Sequence, residues 1–214
     1  MKCLVSGATG FIGRPLCQQL AARGDTLIAL SRSGASLPDG LSTLSLDLAR
    51  GDVDNACLQD VAVVFHLAVS AHQQAPAADY EKLNVDASLR LARQAAAAGV
   101  RCFIFLSSVK AMGPAVGKAA RSEGDVSLPA DPYGLSKWRA ECALREEFEG
   151  SQMAGVSLRP ALVYGANAKG NLRLLANGVD RGLPRPPEGG ARSMVALPDL
   201  VELLCLLSLD APPG

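Results

Sequence analysis

The 214-residue sequence has no surplus of charge of either sign and no long hydrophobic run. Lys plus Arg and Asp plus Glu both number 21, which gives a formal net charge of zero. Without a basic surplus or a cluster of Lys and Arg, a nucleic-acid partner is not expected. The longest apolar stretches, 61–69 and 200–209, are broken by polar residues and are far shorter than the roughly 20 residues that span a bilayer. Because the N-terminus also lacks a secretory hydrophobic segment, we expect a soluble, cytoplasmic protein with no membrane partner.

Metal-binding patterns are absent as well. The six cysteines include no Cys-x-x-Cys pair, and only two histidines, His66 and His72, are present. We therefore expect no metal site, and reduced cysteines that are mostly buried and pack as small apolar side chains. Aromatic residues make up only 4% of the chain, but a hydrophobic content of 49% with 20% charged residues excludes intrinsic disorder.

What the sequence does contain is an alternation of short apolar runs with longer segments of helical periodicity. Several runs are continuously apolar, as expected for parallel strands that are covered on both faces. The pattern predicts an α/β fold with an open, doubly wound parallel sheet. The predicted strands are 2–5, 26–30, 41–46, 61–66, 102–106 and 155–158, and the predicted helices are 12–23, 77–98, 133–149 and 172–181. A surface loop at 113–132 is expected to border the active site.

Three glycines follow the first predicted strand directly. Gly7, Gly10 and Gly13 are spaced three residues apart, and a predicted helix comes next. Because glycine lacks a Cβ, the backbone N–H groups of such a turn can approach a pyrophosphate, and the start of the helix adds partial positive charge. The spacing alone is weak evidence, but the strand and the helix on either side give the context that a dinucleotide-binding loop requires. The alternative is a turn that merely needs glycine.

The end of the second predicted strand bears on the choice of cofactor. An Asp or Glu at this place binds the adenosine ribose hydroxyls of NAD, but this chain carries Ser31, Arg32 and Ser33. A carboxylate would repel a 2′-phosphate, whereas Arg32 and the neighbouring hydroxyls can bind one. The sequence therefore favours NADP over NAD, and the alternative is an exposed arginine without a ligand.

Tyr133 and Lys137 form the strongest chemical pattern in the sequence. Their separation of four residues is about one helical turn, which places the phenol and the ammonium on one face of the predicted helix. Oxidation of a sugar alcohol requires a base, and tyrosine, with an ordinary pKa of about 10, serves only if that pKa falls. We expect the Lys137 charge, together with a positive nicotinamide, to lower it. Ser108, after the predicted strand 102–106, would hydrogen-bond the reacting oxygen. The alternative is a surface Tyr and Lys on an amphipathic helix.

These motifs resemble those of the extended short-chain dehydrogenase/reductases, the NAD-dependent epimerase/dehydratase family. The Gly-x-x-Gly-x-x-Gly spacing, the Ser and Tyr-x-x-x-Lys set and the Arg-Pro-x-x-Val-Tyr-Gly segment at 159–165 carry the resemblance, which extends over residues 2–165. It implies a Rossmann fold and an NAD- or NADP-dependent enzyme with Ser108, Tyr133 and Lys137 as catalytic residues. Together with Arg32, the cofactor-binding residues that it implies are Gly7, Thr9, Gly10, Phe11, Ile12, Gly13, Asp47, Leu48, Leu67, Ala68, Asn84, Tyr133, Lys137, Pro160 and Val163.

Within this family, the resemblance is to nucleotide-sugar epimerases of the UDP-glucose 4-epimerase type and to 4-keto-sugar reductases. Dehydratases carry an Asp-Glu pair after the catalytic hydroxyl, and this chain has Val109 and Lys110 there, which disfavours a dehydratase. An epimerase takes hydride from C4 of the sugar and returns it to the other face, whereas a reductase consumes external NAD(P)H once. The motifs do not separate these two reactions.

The substrate side is where the chain departs from the family pattern. The resemblance implies a UDP-sugar as the substrate, with Ser108, Asn171 and Arg192 as its binding residues. Ala196 and Pro198 replace a His and an Asp that are frequent in the family, and the sequence stops at residue 214, before the family's remaining substrate lobe and last strand. We therefore expect a Rossmann domain at 1–165 and an incomplete substrate-binding region at 166–214, with cofactor binding retained better than sugar binding.

Two other functions stay open. One is reduction of a different carbonyl compound by an extended-family enzyme, and the other is a non-enzymatic, cofactor-binding regulator of the same fold. Such regulators usually lack the Tyr and the Lys, so Tyr133 and Lys137 argue against a regulator, whereas the shortened C-terminus argues for one. By analogy with relatives, the predicted helices 77–98 and 133–149 are expected to form a homodimer interface.

Overall fold

The computed structural model describes residues 1–38, 40–68, 76–114, 120–168, 171–184 and 193–210, and at Ala77, Asn171 and Leu175 only the backbone. The strands are β1 (Lys2–Ser6), β2 (Thr26–Ser31), β3 (Leu44–Ser45), β4 (Val63–His66), β5 (Cys102–Leu106), β6 (Ala154–Leu158), β7 (Leu162–Tyr164) and β8 (Met194–Ala196). The helices are α1 (Gly13–Ala22), α2 (Asn55–Leu58), α3 (Ala77–Tyr80), α4 (Ala87–Ala97), α5 (Pro132–Phe148), α6 (Asn171–Asp180) and α7 (Leu197–Leu209). A π-helical segment (Glu81–Asp86) joins α3 to α4, and a 3-10 helix (Val109–Met112) follows β5.

Six strands form one parallel sheet in the order β3-β2-β1-β4-β5-β6, and β7 and β8 pair as a separate parallel sheet. The chain order reverses between β1 and β4, so this is the topological switch point where open α/β sheets bind ligands. Because parallel strands end at the same edge, the ends of β1, β4 and β5 at Ser6, His66 and Leu106 lie along one rim. The expected doubly wound Rossmann fold is confirmed.

Apolar side chains cover both faces of the six-stranded sheet. On one face, α1 and α7 contribute Leu16, Leu200 and Leu204, which are at most 2% exposed. On the other face, α4 and α5 contribute Leu91 and Leu144, each 1% exposed. Full burial of one such side chain stabilises the fold by about 1.5–3 kcal/mol, so the two layers hold the sheet rim in place.

Helix α7 belongs to the core of the main sheet. Polar contacts reinforce its packing, since Arg23 donates to the Cys205 carbonyl at 3.0 Å and to the Ser208 Oγ at 3.1 Å. Arg101 donates to the Ser208 carbonyl at 2.8 Å. If the chain is divided after residue 165, as expected from the sequence, α7 belongs to the second region but packs against the sheet of the first.

The cysteines behave as predicted from their spacing. All six are free thiols, and Cys3, Cys17, Cys102 and Cys205 are buried. Within the described ranges, no three His, Cys, Asp or Glu side chains cluster in a way that would hold a metal ion. In the same parts of the chain, no helix is both long and apolar enough to cross a bilayer.

Several elements differ from their predicted form. The predicted strand 41–46 is reduced to Leu44 and Ser45, because β3 is an edge strand that pairs only with β2 and is exposed. The predicted helix 77–98 contains the π-helical segment. Strands β7 and β8 were not predicted because three-residue strands leave no pattern, and α7 was not predicted because its sequence is apolar over nearly its whole length.

Candidate active site

The turn between β1 and α1 has no room for side chains at two of its three glycines. A Cβ at Gly13 would lie 2.2 Å from the carbonyl oxygen of Gly7. One at Gly7, where φ is +71°, would lie 2.9 Å from the backbone nitrogen of Ala68. Ile12 is the N-cap residue of α1 and makes no side-chain cap hydrogen bond, so no side-chain cap competes there with a bound anion.

A cleft of about 470 Å³ lies over this turn, at the carboxyl edge of the sheet. It brings together residues that the sequence places in widely separated segments. The sequence-derived site residues that line it are Gly7, Thr9, Gly10, Phe11, Ile12, Gly13, Arg32, Asp47, Leu48, Leu67, Ala68, Ser108, Tyr133, Pro160 and Val163. The glycine turn and the proposed catalytic hydroxyls are therefore parts of one cavity.

Ser108 and Tyr133 are brought to the cleft by two capped helices. The Ser108 Oγ caps the 3-10 helix by accepting the Lys110 N–H at 3.2 Å. Asp131 caps α5 by accepting the Gly134 N–H at 3.0 Å, which places Tyr133 in the first turn of that helix. The Ser108 hydroxyl lies close enough to Tyr133 to influence the pKa of its phenol. Two hydroxyl groups are thus side by side where a substrate oxygen can contact both.

The lowering of the Tyr133 pKa expected from Lys137 together with a positive nicotinamide stays a prediction, because the protein groups alone raise this pKa. Burial raises the pKa of Tyr133 to about 12, and the negative charge of Asp131 acts in the same direction. The Ser108 hydroxyl lowers the pKa but does not offset burial. Tyr133 is therefore a neutral phenol at physiological pH.

Lys137 is one helical turn from Tyr133, but its side chain is fully buried instead of lining the cleft. Its Nζ donates to the carbonyl oxygen of Leu106 at 2.7 Å and lies 4.3 Å from the centroid of the Phe105 ring. Burial lowers the pKa of Lys137 to about 7, and the charge of Glu141 opposes this effect. The Lys137 Nζ is therefore held at the end of β5.

Asn84 is also fully buried, within the π-helical segment. Its Nδ2 donates to the Ser136 Oγ at 2.9 Å, so its side chain contacts α5. The resemblance placed Asn84 among the cofactor-binding residues, whereas the structure places it behind the cleft wall.

A buried ion pair that the sequence did not predict supports this wall. Glu141 is 7% exposed and accepts hydrogen bonds from Arg159, at 2.6 Å from Nη2 and 3.0 Å from Nε. The Ser107 hydroxyl donates to the same carboxylate. Because Arg159 directly precedes Pro160, the pair joins α5 to the segments that follow β5 and β6. The one signal in the sequence was the spacing of Glu141 one helical turn after Lys137.

At the end of β2, Arg32 is exposed and lines the cleft. Its backbone carbonyl accepts a hydrogen bond from the Ser45 Oγ at 3.1 Å. The neighbouring Ser31 Oγ is 2.7 Å from the Thr43 Oγ1, so that hydroxyl is already hydrogen-bonded. The Arg32 side chain is thus exposed to a ligand in the cleft, and the preference for NADP stays a prediction.

Of the three residues assigned to the UDP-sugar, Asn171 and Arg192 have no described side chain. Asn171 begins α6, but only its backbone is described, and Arg192 lies outside the described residues.

The chain is similar to known proteins over most of its length. The model of the NAD dependent epimerase/dehydratase family matches residues 3–188. A UDP-glucose 4-epimerase of Vibrio cholerae is 34% identical over 220 residues, which cover 98% of this chain and 66% of the relative. A UDP-glucose 4-epimerase of Erwinia amylovora is 28% identical, with 86% and 59% covered. The chain therefore spans less than two thirds of the length of these curated relatives.

Two solved structures share the fold over almost the whole chain. MoeE5 in complex with UDP-glucose and NAD has a TM-score of 0.83 and 29% identity, covering 99% of this chain and 72% of that one. The UDP-glucose 4-epimerase of Thermus thermophilus in complex with NAD has a TM-score of 0.81 and 26% identity, covering 100% and 76%.

Proposed function

The chain belongs to the NAD-dependent epimerase/dehydratase family, and we propose that it is an NAD(P)-dependent nucleotide-sugar epimerase or 4-keto-sugar reductase that acts at C4 of the sugar. The observation that carries this proposal is the single cleft that contains both the glycine turn and the Ser108–Tyr133 pair. Similarity to UDP-glucose 4-epimerases and to structures with bound UDP-glucose and NAD supports it.

The residues of the cleft fit a dinucleotide. The turn at Gly7 and Gly13 has no room for side chains, so a pyrophosphate would meet backbone N–H groups and the start of α1. Arg32 would contact the adenosine end, and Pro160 and Val163 would flank the nicotinamide end beside Tyr133. When bound, NAD(P) would supply the hydride chemistry at the sugar carbon.

Tyr133 would move the proton. With a pKa of about 12 its phenol is protonated at neutral pH, so it suits donation of a proton to a keto oxygen that the Ser108 hydroxyl also contacts. The opposite direction, which an epimerase also needs, requires a phenolate, and a nearby positive charge would stabilise that form. Reduction of a keto-sugar starts from the protonated phenol, and oxidation of a sugar alcohol starts from the phenolate.

Binding and turnover test the proposal separately. We expect the 214-residue protein to bind NADH or NADPH, and Tyr133→Phe to leave that affinity within about twofold while lowering turnover of a UDP-4-keto-sugar by about 100-fold or more. Titration calorimetry and a nicotinamide absorbance assay measure the two effects. Binding of neither dinucleotide would contradict the proposal. Binding without turnover of any carbonyl substrate would identify a regulator, and turnover of non-sugar carbonyls alone would identify another reductase.

For the cofactor itself, we propose NADP over NAD on the basis of Arg32. The Arg32→Gln variant should bind NADPH about tenfold more weakly and NADH as before, because only NADPH carries a 2′-phosphate. Arg93→Gln removes the same charge from α4, where Arg93 pairs with Glu147, and serves as the control. A weaker affinity for both dinucleotides in Arg32→Gln would contradict the NADP assignment.

We also propose a homodimer through α4 and α5, and a nucleotide-binding unit formed by residues 1–165 together with α7. Two ion pairs tie the helices of the proposed dimer face to their neighbours, since Arg93 of α4 pairs with Glu147 of α5 and Arg139 of α5 pairs with Glu81. Sedimentation of a monomer at micromolar concentration would reject the dimer.

A UDP-sugar, as the proposed substrate, should bind more weakly than the dinucleotide.

A further inference from the structure

His66 is the last residue of β4 and is fully buried, yet the proposed chemistry does not use it. Its Nδ1 lies 2.7 Å from the Ser6 Oγ at the end of β1, and its Nε2 lies 2.8 Å from the Ser88 Oγ on α4. Both serines are themselves 0% exposed. The imidazole thus bridges the central strands of the sheet and the helix layer through two buried hydroxyls.

The hydrogen bonds of the two serines fix which nitrogen of His66 carries the hydrogen. The Ser88 hydroxyl donates its only proton to the backbone carbonyl of Asn84 at 2.8 Å, so it can only accept from Nε2. Nε2 is therefore protonated, Nδ1 is an acceptor, and the Ser6 hydroxyl donates to it. The Ser6 Oγ in turn accepts the backbone N–H groups of Leu67 and Ala68, each at 3.2 Å.

Protonation of the ring would break this arrangement. A hydrogen on Nδ1 would face the Ser6 hydroxyl, which would lose its acceptor while already accepting two N–H groups. Burial, and the nearby charge of Lys137, lower the pKa of His66 to about 3, which keeps the imidazole neutral. One tautomer of a neutral ring therefore satisfies every partner.

The hydrogen bonds continue from Ser88 to the catalytic helix. The Asn84 Nδ2 donates to the Ser136 Oγ at 2.9 Å, and the Ser136 hydroxyl donates to the backbone carbonyl of Tyr133 at 2.8 Å. Counted from Ser6, each side-chain donor in this series points toward Tyr133. At Asn84 the series passes through covalent bonds, because the backbone carbonyl accepts from Ser88 and the side chain donates to Ser136.

The two ends of this series are at the cleft. Ser6, Leu67 and Ala68 line it next to the glycine turn, and Gly7 packs so closely on Ala68 that a Cβ would not fit. The other end holds the backbone of the residue that carries the phenol. The series therefore connects the two turns at the cleft with the backbone of Tyr133.

We propose that His66 is a positioning residue that couples the two dinucleotide-binding turns, after β1 and after β4, to the helix that carries Tyr133. The proposal rests on the proposed function, since it gives the turns a dinucleotide to bind. It implies that dinucleotide binding and the placement of Tyr133 favour each other, because linkage of this kind is reciprocal.

The tautomer of His66 can be tested without any ligand. In the His72→Gln variant His66 is the only histidine, so long-range proton–nitrogen NMR spectra of the ¹⁵N-histidine-labelled protein report on it alone. We expect the Nε2–H tautomer at pH 7 and no protonation down to about pH 5. The Nδ1–H tautomer, or titration of the ring between pH 5 and 7.5, would overturn the proposal.

Two buried serines provide a matched pair for the functional test. Ser88→Ala interrupts the series, whereas Ser208→Ala removes a hydroxyl that is equally buried and donates to the Cys205 carbonyl at 2.6 Å on α7. We expect Ser88→Ala to weaken binding of the better-bound dinucleotide about fivefold, the size of one net hydrogen bond. Ser208→Ala should lower thermal stability and leave that affinity within about twofold. Equal effects of the two variants on affinity would show that Ser88 is only structural and would overturn the proposal.

A double variant tests whether the links act as one series. Ser136→Ala should also weaken binding about fivefold. If the series is a unit, Ser88→Ala combined with Ser136→Ala should weaken binding by little more than either alone, well short of the product of the two effects. Multiplication of the two effects would overturn the coupling. If the unaltered protein binds neither NADH nor NADPH, the proposed function fails, and the NMR result still decides the geometry of His66.

Discussion

The buried ammonium of Lys137 leads to a quantitative expectation for stability. Its side chain is 0% exposed, and burial lowers its pKa from 10.5 to about 7 in the folded protein. Between these two pH values the unfolded chain binds a proton that the native protein does not. The free energy of unfolding should therefore rise with pH across this window, because the cost of burying this amine is largest where the unfolded chain is most fully protonated.

The size of the effect follows from the two pKa values. The penalty is about 4 kcal/mol at pH 7 and about 2 kcal/mol at pH 9, a mean fall of about 1 kcal/mol per pH unit. Lys137→Met removes this penalty and loses the hydrogen bond to the Leu106 carbonyl, which costs about 1 kcal/mol at either pH. We therefore expect Lys137→Met to be more stable by about 3 kcal/mol at pH 7 and about 1 kcal/mol at pH 9, and to be inactive.

Urea unfolding of both proteins at pH 7, 8 and 9 measures this difference. Lys110→Met is the matched control, because the Lys110 side chain is 46% exposed and forms an ion pair with Asp131 at the surface. The control should show no comparable change of its stability difference with pH. If the difference between Lys137→Met and the unaltered protein were independent of pH, the reasoning about the buried amine would be refuted.

Two further substitutions test the support of the cleft. Arg159→Gln leaves the buried Glu141 carboxylate without its guanidinium partner and should lower the free energy of unfolding in urea by about 3 kcal/mol. Arg159→Lys keeps a positive charge and should lower it clearly less. Equal losses in the two variants would argue against a charge effect. Gly13→Ala forces a Cβ to within 2.2 Å of the Gly7 carbonyl and should abolish dinucleotide binding in calorimetry, while Gly51→Ala, which meets only a side-chain carbon at 3.4 Å, should bind normally. Normal binding by Gly13→Ala would show that the turn can open.

The parts of the site that were predicted are those set by short stretches of sequence. Gly7, Gly10 and Gly13 follow one strand, and the Ser108 and Tyr133 side chains stand at the starts of helices, so local spacing was enough to place them at one sheet edge. The direction of the Lys137 side chain was not predictable in this way. Helical spacing puts it on the same face as Tyr133, but the carbonyl of Leu106, 31 residues earlier in the chain, decides where its Nζ lies.

The supporting contacts were missed for the same reason. His66 bonds to partners 60 and 22 residues away, and Arg159 is 18 residues from Glu141. Such pairs depend on strand order and helix packing, which a single sequence does not fix. The α7 helix shows the converse case, because an apolar run was recognised but its position on the face of the sheet beside α1 follows only from tertiary packing.

The distribution of buried polar groups links these observations. Most of those in the described residues lie between β1, β4 and β5 and the α4 and α5 layer, namely Ser6, His66, Asn84, Ser88, Ser107, Ser136, Lys137 and Glu141. Apolar side chains of similar volume would stabilise this layer more, since buried charges carry a desolvation penalty. Their concentration behind one wall of one cleft is therefore best explained by what they hold in place. The increase in the free energy of unfolding expected for Lys137→Met therefore measures the cost of keeping a buried lysine beside the cleft.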